Sequence, residues 1–308
     1  MNNIFKYLLT AAFAATALTG CSFDNYDIQY PTKKVLFTYQ KYNRQVVVGE
    51  GMGIEIGFVF SGLPASDRDR VVKFEIDPTL VTDEKQSVLP AEYYTLAQEG
   101  QTVIKKGSLK SYVPLALDSA AFVNDPKALT GEYVLPVRIT EADADEISEG
   151  KDYTLISLSY QGRQYGNYTY FGTATSSTVE EGKKYMNQPS TTASVRQLQT
   201  IGPNRFRVYA DQSSNIDPMK GTYSMIVTVP VDGGGEIELE PDTEYLPAIQ
   251  IEKDGICTYD VASKTFVLRY RYTDKDGNIW HAEDKMTFRN RIRDDQGDGR
   301  VLYEWRGF

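Results

Sequence analysis

The amino-acid sequence predicts an all-β chain: an N-terminal immunoglobulin-like β-sandwich followed by a C-terminal antiparallel β-barrel (lipocalin-like) or a second β-sandwich. Three observations carry this. Short β-branched and aromatic runs recur from residue 35 to residue 288, with Gly, Pro and Asp between them at sandwich-like intervals. Only Asp118 to Leu129 looks helical, with Asp118 placed to cap a short turn ahead of Asp125-Pro126. The 308 residues exceed the size at which one core stops growing, about 250 residues, so two domains are expected.

Residues 1–20 have the form of an export signal. Asn2-Asn3-Ile4-Phe5-Lys6 is a weakly basic start, and Tyr7 to Leu18 is an apolar run. That run is too short to cross about 30 Å of hydrocarbon as a helix. It ends in Leu18-Thr19-Gly20-Cys21, which resembles the bacterial lipobox, where the Cys is acylated before cleavage in front of it. The resemblance implies an outer-membrane lipoprotein held by lipid on Cys21, with residues 21–32 as the tether. Asp24 and Asp27 in the segment that follows resemble the surface-export signal of Bacteroidetes lipoproteins, which favours the cell surface over the periplasmic face. With Cys21 acylated, Cys257 is the only thiol left and no intramolecular disulfide can form; it reads as a small buried hydrophobe.

Residues 33–145 form the expected sandwich. Its strands are expected at 35–38, 44–48, 54–60, 71–76, 102–104, 112–117 and 133–139. Ile54, Ile56, Phe58 and Phe60 alternate with Glu55, Gly57 and Val59, as a half-buried strand requires. Pro114 and Pro136 each remove a ladder donor, so their strands are expected at edges or bulges. The acidic stretch Glu141 to Glu146 reads as a connector, and the second domain is placed at 150–308. Its strands are expected to start at 153–158 and to end with 265–272 and 279–288. There Phe266, Leu268, Tyr270 and Tyr272 share one face, and Val267, Arg269 and Arg271 the other. Lys275-Asp276-Gly277-Asn278 turns that strand back onto Ile279-Trp280 as a hairpin.

Composition bounds the chemistry. Lys plus Arg number 33 against 42 Asp plus Glu, and the net charge of −9 speaks against nucleic acid as a partner. Two Cys and one His leave little for a metal centre or an activated nucleophile, so neither metal nor cofactor is expected. Asp274, Asp276 and Asn278 have the oxygen spacing of a calcium loop, yet Lys285 stands where its bidentate Glu belongs. A hairpin turn is the simpler reading, and Asp294 to Gly299 reads as a solvated turn. The glycine run Gly233 to Gly235 lacks the Lys-Ser/Thr of a phosphate loop, and no carboxylate pair stands out as a catalytic dyad. The chain is expected not to be an enzyme.

Gly57-Phe58-Val59-Phe60-Ser61-Gly62, the run Asp67 to Pro78, Leu89-Pro90-Ala91-Glu92-Tyr93-Tyr94 and Tyr133-Val134-Leu135-Pro136-Val137 resemble one Bacteroidetes domain family. That family is an immunoglobulin-like N-terminal domain of lipoproteins from polysaccharide-utilisation loci, found also in front of some family-18 glycoside hydrolases. Tyr165-Gly166-Asn167-Tyr168, the hairpin strands at 266–288, and Arg289-Asn290-Arg291 followed by Trp305 resemble its companion C-terminal domain of unknown function. No hydrolase barrel follows the first domain, so glycosidase activity does not carry over. What the resemblance implies is an accessory role, with glycan capture or scaffolding beside a glycan importer.

Sugar binding sets an aromatic face against the apolar face of a pyranose, with amides and charged groups on its hydroxyls. Trp280, Trp305, Tyr165, Tyr168 and Tyr170 are the candidate platforms, with Asn167, Arg289 and Asn290 as polar neighbours. The competing reading makes these rings barrel core and cross-strand pairs. Three functions stay open. The first is a lipid-anchored, non-catalytic glycan-binding accessory protein. The second is a structural or adhesive surface protein that binds another protein through an open edge such as 112–117. The third is a barrel around a small apolar ligand, which an interior filled with Tyr and Phe would exclude.

Overall fold

The computed structural model describes residues 32–178, 195–209, 224–244, 251–295 and 301–305, apart from 177, 232 and 275. The export signal, Cys21 and the tether as far as residue 31 lie outside the described residues. Two β domains follow one another, as the sequence predicts.

The first is a sandwich. The chain enters one sheet as β1 (Lys34–Leu36) and crosses to the other as β2 (Lys41–Val47). β3 (Gly53–Ser61) returns to the first sheet and β4 (Arg70–Ile76) to the second. The short β5 (Ser87–Val88) and β6 (Tyr94–Leu96) precede β7 (Gln101–Ile104) and β8 (Lys110–Leu117). Two single-turn helices, α1 (Ser119–Val123) and α2 (Pro126–Thr130), lead into β9 (Tyr133–Ala142), β10 (Glu146–Ile147) and β11 (Tyr153–Gln161). The sheet orders are β10-β1-β3-β8-β6 and β2-β11-β9-β4-β7, with β5 also beside β9. Asp118 caps α1 as expected, accepting from the amides of Ala120 and Ala121 at 2.9 and 3.1 Å. The period-2 alternation places Ile54, Ile56, Phe58 and Phe60 inward, against Val72, Phe74, Val137 and Leu158 of the facing sheet.

Two expectations need correction. β11 does not open the second domain: it pairs antiparallel with β9 and parallel with β2, so the first domain runs to Gln161. The acidic connector is the turn of that β9–β11 hairpin, and it lends β10 to the other sheet beside β1. The proline strands are not edges either, although β9 is bulged between Ile139 and Glu141, opposite Phe74 and Lys73. β8 lies between β3 and β6, and β9 between β11 and β4. A strand residue's N and O face the same neighbour. The Pro114 carbonyl accepts from Ala97 just past the end of β6, and that of Pro136 from Asp77 just past the end of β4. Each missing donor therefore falls where the neighbouring ladder has already stopped.

The second domain is one curled antiparallel sheet. Its strands are β12 (Gly166–Ser176), β13 (Val195–Gly202), β14 (Arg205–Tyr209), β15 (Ser224–Thr228), β16 (Gly235–Glu236) and β17 (Glu238–Pro241). β18 (Ile251–Lys253), β19 (Thr258–Asp260), β20 (Thr265–Thr273), β21 (Ile279–Asp295) and β22 (Val301–Trp305) complete it. The order β16-β19-β20-β21-β12-β13-β14-β15-β17 begins and ends in one short segment, because β16 and β17 flank the single residue Ile237. Gly235 to Pro241 thus pairs with β19 on one side and β15 on the other, which joins the two ends of the sheet. Of the two architectures expected, this is the barrel.

Its interior is filled by its own side chains. Tyr168, Tyr170, Phe206, Phe266, Leu268, Tyr270, Met286 and Phe288 surround one another there among the described residues, the Tyr- and Phe-filled interior that speaks against the small-apolar-ligand reading. An ion pair crosses this core: Arg196 Nη1 lies 2.5 Å from Asp284 Oδ2, and both side chains are fully buried. The Tyr270 hydroxyl donates to the same oxygen at 2.8 Å, and the Arg196 guanidinium lies 4.0 Å over the Tyr170 ring. Burial, with the Asp284 charge added, pushes the Tyr270 pKa well up, so the hydroxyl keeps its proton and remains a donor.

The joint between the domains is short. Gly162 donates its amide to Thr200 Oγ1 at 2.9 Å, and a Cβ on Gly162 would stand 2.5 Å from the Phe206 ring. The buried Arg291 of β21 donates to the Arg163 carbonyl at 3.2 Å and pairs with Glu50 in the β2–β3 turn.

Replacing one partner of the buried pair strands the other charge. Arg196→Met is expected to cost about 3–5 kcal/mol in urea unfolding, and Arg196→Met with Asp284→Leu to recover most of that loss. Equal losses in the single and double variants would show that the pair carries no such penalty.

Candidate functional site

β1 pairs with β3 only over Val59 to Ser61, because the chain leaves that sheet after Leu36. From Gly53 to Phe58, the side of β3 away from β8 has no strand beside it among the described residues. β2, which took the chain to the other sheet, pairs only with β11. Between them opens a cleft of about 920 Å³. Its walls carry Tyr39, Tyr42 and Arg44 on one side and Glu55, Lys110 and Tyr112 on the other.

The tyrosines are placed by local packing. Tyr112 is directly opposite Gly57 in the β3–β8 ladder, and a Cβ on Gly57 would lie 3.3 Å from its ring. The missing side chain lets that ring settle over the strand, where it stays 48% exposed. Tyr39 and Tyr42 meet edge to face, with centroids 6.4 Å apart, and the Arg44 guanidinium stands 4.9 Å over the Tyr42 ring. Burial raises the Tyr42 pKa while the Arg44 charge pulls against it, so the hydroxyl remains a neutral donor and acceptor. Flat rings, one guanidinium, one ammonium and the carboxylates of Glu50 and Glu55 around an open cleft suit a polyhydroxylated ligand with apolar ring faces.

The residues singled out from the sequence lie in the second domain, away from this cleft, and the described ones among them are buried or half-buried. Tyr168 and Tyr170 do share a face, but it is the core face, at 0% and 1% exposure. Tyr168 packs edge to face on Phe266 and Phe288 and donates to the Gln164 carbonyl at 2.7 Å. Trp280 is the inward member of its pair with Ile279, and its indole N–H donates to Asp274 at 2.8 Å. Tyr165 is half-buried against the barrel core, and Arg289 is half-buried. Asn167 and Asn290 are brought together, Nδ2 to Oδ1 at 3.3 Å. Trp305 is opposite Asn290 in the ladder, but its side chain lies outside the described residues.

The would-be calcium oxygens close a hairpin instead. Asp274 accepts from the amides of Asp276 and Asn278, the Asn278 side chain and the Trp280 indole. Desolvation works to raise its pKa, and these donors together overcome it and hold the pKa at about 2. The side chains of Asp294 to Gly299 lie outside the described residues. Among the described residues, no three His, Cys, Asp or Glu side chains are grouped to hold a metal, and no helix is long and apolar enough to cross a membrane. Cys257 is buried, as its flanking residues suggest, and its Sγ accepts from the Arg269 amide at 3.2 Å.

A β-sandwich with a tyrosine-lined seam, joined in tandem to a closed and filled β-barrel, defines a two-domain all-β protein. Residues 23–146 match the model of a family's N-terminal domain and residues 156–287 that of its C-terminal domain; the chain belongs to this two-domain family. The break between the models falls in front of or inside β11, which the ladder keeps in the first domain. A Bacteroides ovatus protein of unknown function is similar in fold, at TM-score 0.66 and 18% identity over 89% of this chain and 99% of that one. A second B. ovatus protein of unknown function matches at TM-score 0.43, 16% identity, 89% of this chain and 99% of the other. A B. thetaiotaomicron protein described as an auxiliary nutrient binding protein matches at TM-score 0.43 and 14% identity, over 83% and 92% of the two chains. No curated protein matches the chain.

Trp280→Ala is expected to cost about 3–5 kcal/mol of stability, as core aromatics do, and Tyr112→Ala to stay within about 0.5 kcal/mol. Urea melts of both variants check the contrast between core ring and exposed ring. Asp274 makes a second test. Its pKa of about 2 lies below the ordinary 3.8, so its contribution is complete above 3.8 and fades as pH falls towards 2. The Tm gap between the parent and Asp274→Asn should therefore be open at neutral pH and close across that acid window. A gap that ignores pH would refute the assignment.

Proposed function

We propose that the protein is a non-catalytic glycan-binding accessory protein of the cell envelope. It is held in the outer membrane, facing the cell surface, by lipid on Cys21, and delivers oligo- or polysaccharide to a neighbouring importer. The observation that carries the reading is the seam between β2 and β3, where Tyr39, Tyr42 and Tyr112 converge with Arg44, Glu55 and Lys110 around about 920 Å³. Rings supply stacking faces, and the charged and hydroxyl groups supply directional bonds to sugar hydroxyls. The anchor rests on Leu18-Thr19-Gly20-Cys21 and the acidic residues after it.

The test is a glycan array probed with residues 22–308, followed by calorimetry on the hits. Tyr42→Ala and Tyr112→Ala should each weaken binding about tenfold or more, equivalent to about 1.4 kcal/mol, with the Tm of Tyr112→Ala unchanged. Binding that survives both substitutions would move the site off this cleft. Labelled palmitate should be incorporated in cells by the parent and not by Cys21→Ala; equal labelling would sink the anchor.

A further inference from the structure

The cleft does not stand alone on its sheet. It shares Gly51, Gly53, Pro114 and Leu115 with a depression of about 390 Å³ that also touches Met52, Thr95, Ala97 and Ala116. At its other end it shares Lys110 and Tyr112 with a depression of about 670 Å³ lined by Gln98, Glu99, Gln101 and Lys105. All three touch one row of outward residues on β8, namely Lys110, Tyr112, Pro114 and Ala116. Along that row the strand runs about 20 Å. The matching row on β3 is Val59, Glu55 and two glycines, Gly57 and Gly53, so the floor is low for most of its length.

The ends differ in chemistry and neither is walled off. Thr95 beside Ala116 at one end, and Gln101 and Lys105 at the other, are exposed, as are Ala97, Gln98 and Glu99 between them. A pocket for a chain terminus needs a closed end where the last sugar's hydroxyls are met. Here small apolar groups give way to a central ring and then to amides and charges, with an exit at both ends.

We propose that the three depressions form one trough that takes an internal stretch of an extended polysaccharide, lying along β8 with Tyr112 at its centre. This rests on the glycan reading above and adds the mode of recognition. A ligand held this way gains affinity with length until the trough is filled, and its chain ends are indifferent.

The test uses the full mature chain and four named probes: barley β-glucan, xylan, pectic galactan and yeast mannan, each with its ladder from disaccharide to octasaccharide. Calorimetry should show affinity for one ladder rising at each added unit and levelling off only at the longer members. Reducing the terminal sugar to its alditol should change nothing. Ala116→Trp, a substitution at an exposed strand position, should fill one end and remove the gain of the longest members while leaving the short ones bound as before. A plateau already at the disaccharide, or loss of binding on end reduction, overturns the trough and leaves the cleft as a glycan site. No binding to any of the four, or binding of extended peptides instead, overturns both.

Discussion

Every strand must complete its backbone hydrogen bonds or leave an edge, and the two domains answer this demand in opposite ways. The barrel closes, because Gly235 to Pro241 pairs on both sides and turns the sheet into a ring. The sandwich does not, because β1 abandons β3 after Leu36 and the chain resumes as β2 on the other sheet. The seam left there is where side chains of unlike chemistry meet solvent together. The closed domain, by contrast, directs Tyr168, Tyr170, Tyr270, Phe206, Phe266 and Phe288 inward.

This difference explains the fate of the tyrosines. A closed ring of strands has one interior, and its inward positions must be filled to crystal-like density. Tyr168, Tyr170 and Tyr270 do this, and the polar cost of so many large side chains is met by hydroxyl bonds and by the Arg196–Asp284 pair. Outward positions of the sandwich are under no such demand. There Tyr39 and Tyr112 keep more than a third of their surface in water. The same residue type is thus structural in one domain and available in the other.

Much of the fold was legible because period-2 alternation survives in the strongest strands. Ile54 to Phe60 and Phe266 to Tyr272 point as their pattern says, and Asp118 caps its helix. Three features were not. The domain limit was placed ahead of β11 because Glu141 to Glu146 looks like a linker, while strand pairing across the hairpin is non-local and leaves no composition signal. The prolines looked like edge markers because sequence does not reveal where a neighbouring ladder stops. The sequence points to Trp280, Trp305 and the 165–170 tyrosines with Asn167, Arg289 and Asn290, since aromatic density is what a sequence displays. What would have pointed to the seam is fainter: Gly57 in an outward strand position, with exposed tyrosines at 39 and 112 and a half-buried one at 42 in segments that meet only in space.

The joint between the domains has a consequence for how such a protein meets its ligand. Only residues 162–165 separate β11 from β12, and Arg291 clasps both the Arg163 carbonyl and Glu50, a residue of the cleft's own rim. The barrel therefore reaches the rim of the seam through one buried guanidinium, and the two domains meet at the cleft's own edge. A cleft whose rim is held in place by such a contact loses less conformational freedom when a ligand enters it.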